Sequence, residues 1–181
     1  MPIIQVVIFR GTGGVYNVDH PYCGEPALVR AGHVGVIGVI KDKIIGFHPT
    51  PDATEALGSE KLLLNALKDK VPQPSCLQDD SRYFERAYQL RDATNGRTAV
   101  YMYEVEISDK TFDEIRTWYN EGKEALYNFP NDDGQFEDKQ SNCAMFWVEW
   151  FNIPLPERTG KIRRLTEKMR IEEYDLWHPN D

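Results

Sequence analysis

Apolar and polar positions along the chain change period several times, and each change marks an expected element. Residues 3–10 are β-rich and apolar and run into Gly11-Thr12-Gly13-Gly14, which predicts a strand closed by a turn. Residues 32–40 and 43–48 are two more β-rich runs joined by polar Lys41-Asp42, a hairpin signal. The first of these is apolar or glycine on both faces, which suits a central strand covered on both sides. Leu62, Leu63, Ala66 and Leu67 recur at helical spacing within residues 59–70; Pro72 and Pro74 then interrupt the pattern, leaving Cys76 in an expected loop. Asp79-Asp80-Ser81 predicts a solvated cap for a short helix through Tyr83 and Phe84. Residues 97–107 alternate as a half-exposed strand. Ser108-Asp109 then opens a helix whose apolar stripe is Phe112, Ile115, Trp118 and Tyr119.

The stretch from Ser141 to Phe151 carries the most chemistry. It follows the polar, acidic residues 128–140 and places apolar side chains at Met145, Phe146, Val148, Trp150 and Phe151, which suits a mostly buried helix. Ser141 or Asn142 can cap it, putting Cys143 in the first turn, where free backbone N–H groups and the helix dipole face the sulfur. Such surroundings favour thiolate over thiol, the form a nucleophilic cysteine needs. A structural thiol on an aromatic helix is the competing reading, and a nearby base decides between the two. His33, at the start of the central strand, is the candidate base, since the end of a buried strand can present a side chain to a cleft. With the hairpin turn near Lys41-Asp42, His48 falls close to His33 on the same face and is the candidate orienter.

Composition narrows the classes. The 181 residues are 41% hydrophobic, enough for one domain with its own core, and a net charge of -8 argues against binding nucleic acid by phosphate neutralisation. The three cysteines, Cys23, Cys76 and Cys143, form no C-x-x-C pair and no disulfide framework. His20 and Cys23 lie three apart in a proline-bounded loop without a second ligand pair, so no metal is expected there. The glycines at 11–14 lack a following Gly-Lys-Ser/Thr and read as a turn, not a phosphate cradle. The first residues lack a secretory signal pattern and no apolar run is long enough to cross a bilayer. Synthesis in the cytosol is therefore the expectation, with any export by a machine that needs no cleaved signal.

Ala31-Gly32-His33 opening an apolar strand, the return Ile45-Gly46-Phe47-His48-Pro49, a strand ending in Ser108-Asp109, and Ser141-Asn142-Cys143 with Phe146 ahead of Leu155-Pro156 and Thr159-Gly160 form a combined pattern. It resembles the circularly permuted papain-fold cysteine hydrolases, relatives of the NlpC-type peptidases in which histidine precedes cysteine; the PPPDE isopeptidases and the lecithin:retinol acyltransferase group share that order. The resemblance covers roughly residues 30 to 160. It implies an α+β fold with a central antiparallel sheet packed against helices and the nucleophile at a helix N-terminus.

By this resemblance Cys143 is the nucleophile, His33 the general base, His48 the third residue, and the N–H of Cys143, beside Asn142, part of an oxyanion hole. The implied activity is a cysteine peptidase or amidase cleaving an amide bond, in peptidoglycan peptides first of all, without metal or organic cofactor. Lacking a signal peptide, such an enzyme would be either a secreted antibacterial effector, with an inhibitory immunity protein as its partner, or an enzyme acting on a cytosolic substrate. An isopeptidase or acyltransferase of the same fold, or a non-catalytic binding module, are the alternatives.

Overall fold

The computed structural model describes residues 1–9, 33–81, 84, 100–131, 133, 135–154 and 172–173. The loop with His20 and Cys23, the glycine turn, the basic cluster at 159–165 and Trp177 lie outside the described residues. Eight strands are described: β1 (Ile3–Phe9), β2 (His33–Ile37), β3 (Ile44–Pro49), β4 (Gln73–Asp79), β5 (Val100–Glu106), β6 (Glu124–Tyr127), β7 (Gln140–Ser141) and β8 (Glu172–Glu173). They form one sheet in the order β7-β6-β4-β3-β2-β1-β5-β8. The fold is α+β. The central strands pair antiparallel, as expected, and the sheet is mixed only at its edge, where β6 and β7 run parallel with Tyr127 beside Ser141.

Four described helices follow from local signals. Helix α1 (Pro51–Leu57) has proline in its first turn and Thr50 as cap, its Oγ1 accepting from the Ala53 N–H. Ser59 caps α2 (Glu60–Lys68) and Ser108 caps α3 (Asp109–Glu121) in the same manner. Gly122, at φ 61°, ends α3 in the left-handed conformation that glycine adopts without steric penalty. Helix α4 spans Met145–Phe151. No described helix is long and apolar enough to cross a membrane.

The core lies between one face of the sheet and the helices. Val36, Ile45, Phe47 and Leu77 from the sheet meet Leu63 and Leu67 of α2, Ile115 of α3 and Phe146 of α4, all buried. Phe47 stacks on Phe146 with ring centroids 4.0 Å apart, and the Trp118 ring of α3 meets Phe146 edge-on at 5.5 Å. This aromatic stack fixes the height of α4 above the sheet. The Tyr103 hydroxyl of β5 donates to the Pro154 carbonyl at 2.7 Å and so ties down the chain just after α4.

Strand β4 was not expected. Its inward positions, Gln73, Ser75 and Leu77, are buried and alternate with more exposed Pro74, Cys76 and Gln78, so the period of two is real but written largely in polar residues. Pro74 is tolerated because its position still offers a carbonyl, which accepts from Thr50 N–H at 2.9 Å. Cys76 accordingly sits in a ladder opposite His48, not in a loop.

Phe47→Ala is expected to destabilise the protein by about 3–5 kcal/mol through the cavity left under Phe146. Leu62→Ala, at a 49% exposed position, should stay within about 0.5 kcal/mol; urea denaturation of the two variants checks both.

Candidate active site

The β2–β3 ladder pairs Ile37 with Ile44, Val36 with Ile45 and Gly35 with Gly46, and the paired register ends there. One residue beyond, the Val34 backbone hydrogen-bonds the sulfur of Cys143. At this end of the sheet the start of β2, the end of β3, the start of β4 and the ends of β6 and β7 come together.

Cys143 is delivered by the turn in front of α4. Asn142 Oδ1 accepts from the Ala144 and Met145 N–H groups, at 3.1 and 2.8 Å, and the Asn142 carbonyl accepts from Phe146 N–H at 3.1 Å. That is the bonding of an N-cap residue, so Asn142 is the cap and Cys143 occupies the first position after it. Ser141 is fully buried in β7 and its Oγ has no partner among the described residues; it is not the cap. The thiol is free and half-buried.

His33 is buried, and its imidazole is hydrogen-bonded to Cys143. Its Nε2–H donates to Asp80 Oδ2 at 2.5 Å, leaving Nδ1 as the other ring nitrogen. Asp80, only 3% exposed, uses its second oxygen as well: His48 Nε2–H donates to Oδ1 at 2.5 Å. One carboxylate thus joins two imidazoles whose centroids are 5.8 Å apart. The expectation for His48 is revised by this geometry. It lies close to His33 on the same face, as the hairpin implies, but the group that orients His33 is Asp80, and His48 holds Asp80 from the outside. His48 is itself anchored, since the amide of Gln78 donates to the His48 and Pro49 carbonyls at 3.1 and 2.9 Å.

Asp80 was expected to be a solvated cap; its side chain instead turns inward. The backbone does make the expected turn, Phe84 N–H donating to the Asp80 carbonyl at 3.1 Å, and that turn lays the buried Phe84 ring 5.7 Å from His33. Room for the carboxylate comes from Gly46. A Cβ there would stand 2.7 Å from His33 Nε2 and still closer to Asp80 Oδ2, so glycine is required by the close approach. Tyr127 is a second residue the sequence did not single out; its hydroxyl hydrogen-bonds the Cys143 sulfur from the end of β6.

These contacts set the charges. Burial opposes ionisation of His33, but the charge and hydrogen bond of Asp80, and then Cys143, outweigh it and raise its pKa from 6.5 to about 10. Burial also pushes the Cys143 thiol up; the bond and charge of His33, the Tyr127 hydroxyl and the Val34 backbone bring it below its ordinary value. Asp80, despite its burial, is brought down from 3.8 to about 2 by His48 and His33. These contacts favour the thiolate at Cys143, the imidazolium at His33 and the carboxylate at Asp80, three groups joined in a row. Among the described residues, no group of three His, Cys, Asp or Glu side chains is disposed to hold a metal ion.

Comparison of the chain with protein-family models, with curated proteins and with solved structures found no match in any of the three.

Because the folded-state pKa of Asp80 is depressed, its contribution to stability is complete above pH 3.8 and is lost as pH falls through about 2. Thermal melts from about pH 5 to pH 2 should show this acid-side loss in the native protein and a flatter dependence in Asp80→Asn. That variant should also be less stable than the native protein at pH 5.

Proposed function

We propose that this protein is a cysteine hydrolase of the peptidase or amidase type, with a circularly permuted papain-like fold of the NlpC kind. The observation that carries the reading is the contact of the Cys143 sulfur with a histidine whose Nε2 is held by a buried aspartate. A cysteine that serves only for packing needs neither a base nor an orienter. A nucleophile needs both.

In the proposed reaction the Cys143 thiolate attacks the carbonyl carbon of an amide, and the oxygen takes up negative charge near the Cys143 backbone N–H at the start of the α4 turn. The C–N bond breaks as His33 gives its proton to the departing amine. Water, deprotonated by the now neutral His33, attacks the thioester, and collapse expels the thiolate and releases the acid. Asp80 stays ionised throughout and keeps the imidazole in one orientation, while His48 and Gln78 keep Asp80 in place. No cofactor enters these steps.

Peptidoglycan peptides are the substrate this reading puts first, and delivery as an antibacterial effector, with an immunity protein covering the Cys143 end of the sheet, belongs to the same proposal. An isopeptidase or acyltransferase would use the same residues on a different carbonyl. A binding module would not need them ionised.

The test is the iodoacetamide alkylation rate of Cys143 as a function of pH. In the native protein the rate should already be high near pH 6 and stay level through pH 8, because the thiolate forms below its ordinary pKa and the imidazolium persists to about 10. In His33→Ala it should fall at least tenfold at pH 6 and rise only near the ~8.5 of a free thiol. A native rate that simply tracks an ordinary thiol, indifferent to His33, would sink the hydrolase reading in favour of the binding module.

A further inference from the structure

His48 moves no proton in the proposed reaction, yet its ring is the most exposed part of the buried cluster. It is 24% exposed, against 5% for His33 and 3% for Asp80. Of these three side chains it is the one that meets solvent, and a proton gained or lost there needs no path through the protein.

The Nδ1 atom of His48 stands between two partners of opposite kind. The Pro49 carbonyl, an acceptor, is 3.1 Å away, and the Gln78 amide nitrogen, a donor, is 3.3 Å away. With a hydrogen on Nδ1 the ring donates to Pro49; without one, its lone pair accepts from Gln78. Gln78 Nε2 has two hydrogens for three neighbours, the His48 carbonyl, the Pro49 carbonyl and Nδ1, so one of them can turn from a carbonyl to the ring. In both forms His48 Nε2–H keeps its bond to Asp80 Oδ1. The ring can therefore change its charge without releasing the carboxylate.

The described titratable groups around His48 leave its own proton as the charge that varies. Cys76 lies opposite it in the β3–β4 ladder, and burial, then the charge of Glu124, push that thiol up, which keeps it neutral. Glu124 stands one strand further out, paired with Cys76. On the inner side are Asp80, held ionised down to about pH 2, and His33, held protonated up to about pH 10.

A charge on His48 reaches His33 through the carboxylate they share. The ring centroids are 5.8 Å apart with a buried group between them, so water screens the interaction little. A hydrogen added at Nδ1 draws the negative charge of Asp80 toward His48 and weakens its pull on His33 Nε2–H. The His33 imidazolium becomes the readier acid.

We infer that His48 is a pH-sensing positioning residue, whose Nδ1, on gaining a proton, exchanges Gln78 for the Pro49 carbonyl and so loosens the hold of Asp80 on His33. The inference rests on the hydrolase reading for its effect on cleavage, where lower pH eases proton delivery to the leaving amine. The coupling of the two rings does not require a reactive thiol. Regulation of the site thus enters from the solvent side of Asp80, away from Cys143.

The test is nitrogen and proton NMR of imidazole-labelled protein as pH is lowered from about 8 to about 5, the interval in which histidine side chains commonly change charge. The His33 Nε2–H resonance should move upfield in step with the gain of the His48 Nδ1 hydrogen, with one common midpoint. His48→Gln supplies a neutral N–H for Asp80 and should abolish the movement while His33 stays protonated. Gln78→Leu removes the donor that meets the neutral ring, and should carry both midpoints together to higher pH; it keeps the test sharp if His48→Gln folds poorly. A His33 resonance that stays flat while His48 titrates, a His48 ring in one protonation state throughout, or a movement that survives His48→Gln would each overturn the assignment. Coupled rings beside an ordinary Cys143 thiol would keep the sensor and remove the hydrolase. A reactive Cys143 with uncoupled rings would do the reverse.

Discussion

A carboxylate buried to 3% exposure is the constraint on which this site depends. Removing such an ion from water is costly by several kcal/mol unless its charge and lone pairs are met inside the protein. Asp80 satisfies that condition with one imidazole on each oxygen. Both histidines are fixed by it, and it is fixed by both. The arrangement requires a floor without side chains, which Gly46 supplies, and a turn after β4 that aims the carboxylate inward and covers His33 with Phe84. Removing one imidazole leaves a buried charge half-paired, so the cluster acts as a unit.

The same carboxylate reaches the thiol through His33. An imidazole that is held charged on one side can stabilise a thiolate on the other, and the sulfur takes further support from Tyr127 and from the Val34 backbone. The fold provides the place for this by ending the β2–β3 pairing at Gly35 and Gly46, one residue short of Val34. Helix α4 brings Cys143 there because Asn142 caps it and because Phe146 is stacked on Phe47. Packing on one face of the sheet and electrostatics at its end are thus linked through a single short helix.

How much of this is legible in the sequence differs from element to element. Strands with apolar runs, helices with serine caps and the His33 and Cys143 positions follow from period and local chemistry, while the choice between Ser141 and Asn142 as cap is made only by the hydrogen bonds of the fold. Strand β4 does not, because its buried positions include Gln73 and Ser75 and its second residue is proline. With β4 unread, Asp80 looked like one of a pair of solvated acids; its backbone stands beside Ile44 at the start of β3, and only its side chain, laid over Gly46, reaches His33. Tyr127 was missed for a similar reason, since β6 is only four residues long and shows no clear alternation. His48 was legible as a neighbour of His33, but a hairpin register gives proximity and not the atom that lies between two rings.

The most direct test of the account is the protonation state of the His33 ring, read by nitrogen NMR of imidazole-labelled protein across the pH range. The account predicts both ring nitrogens protonated at pH 7, with deprotonation only toward about pH 10, and a titration moved sharply downward in Asp80→Asn. A His33 ring that is neutral at pH 7 and titrates near the ~6.5 of a free histidine, whether or not Asp80 is present, would contradict it.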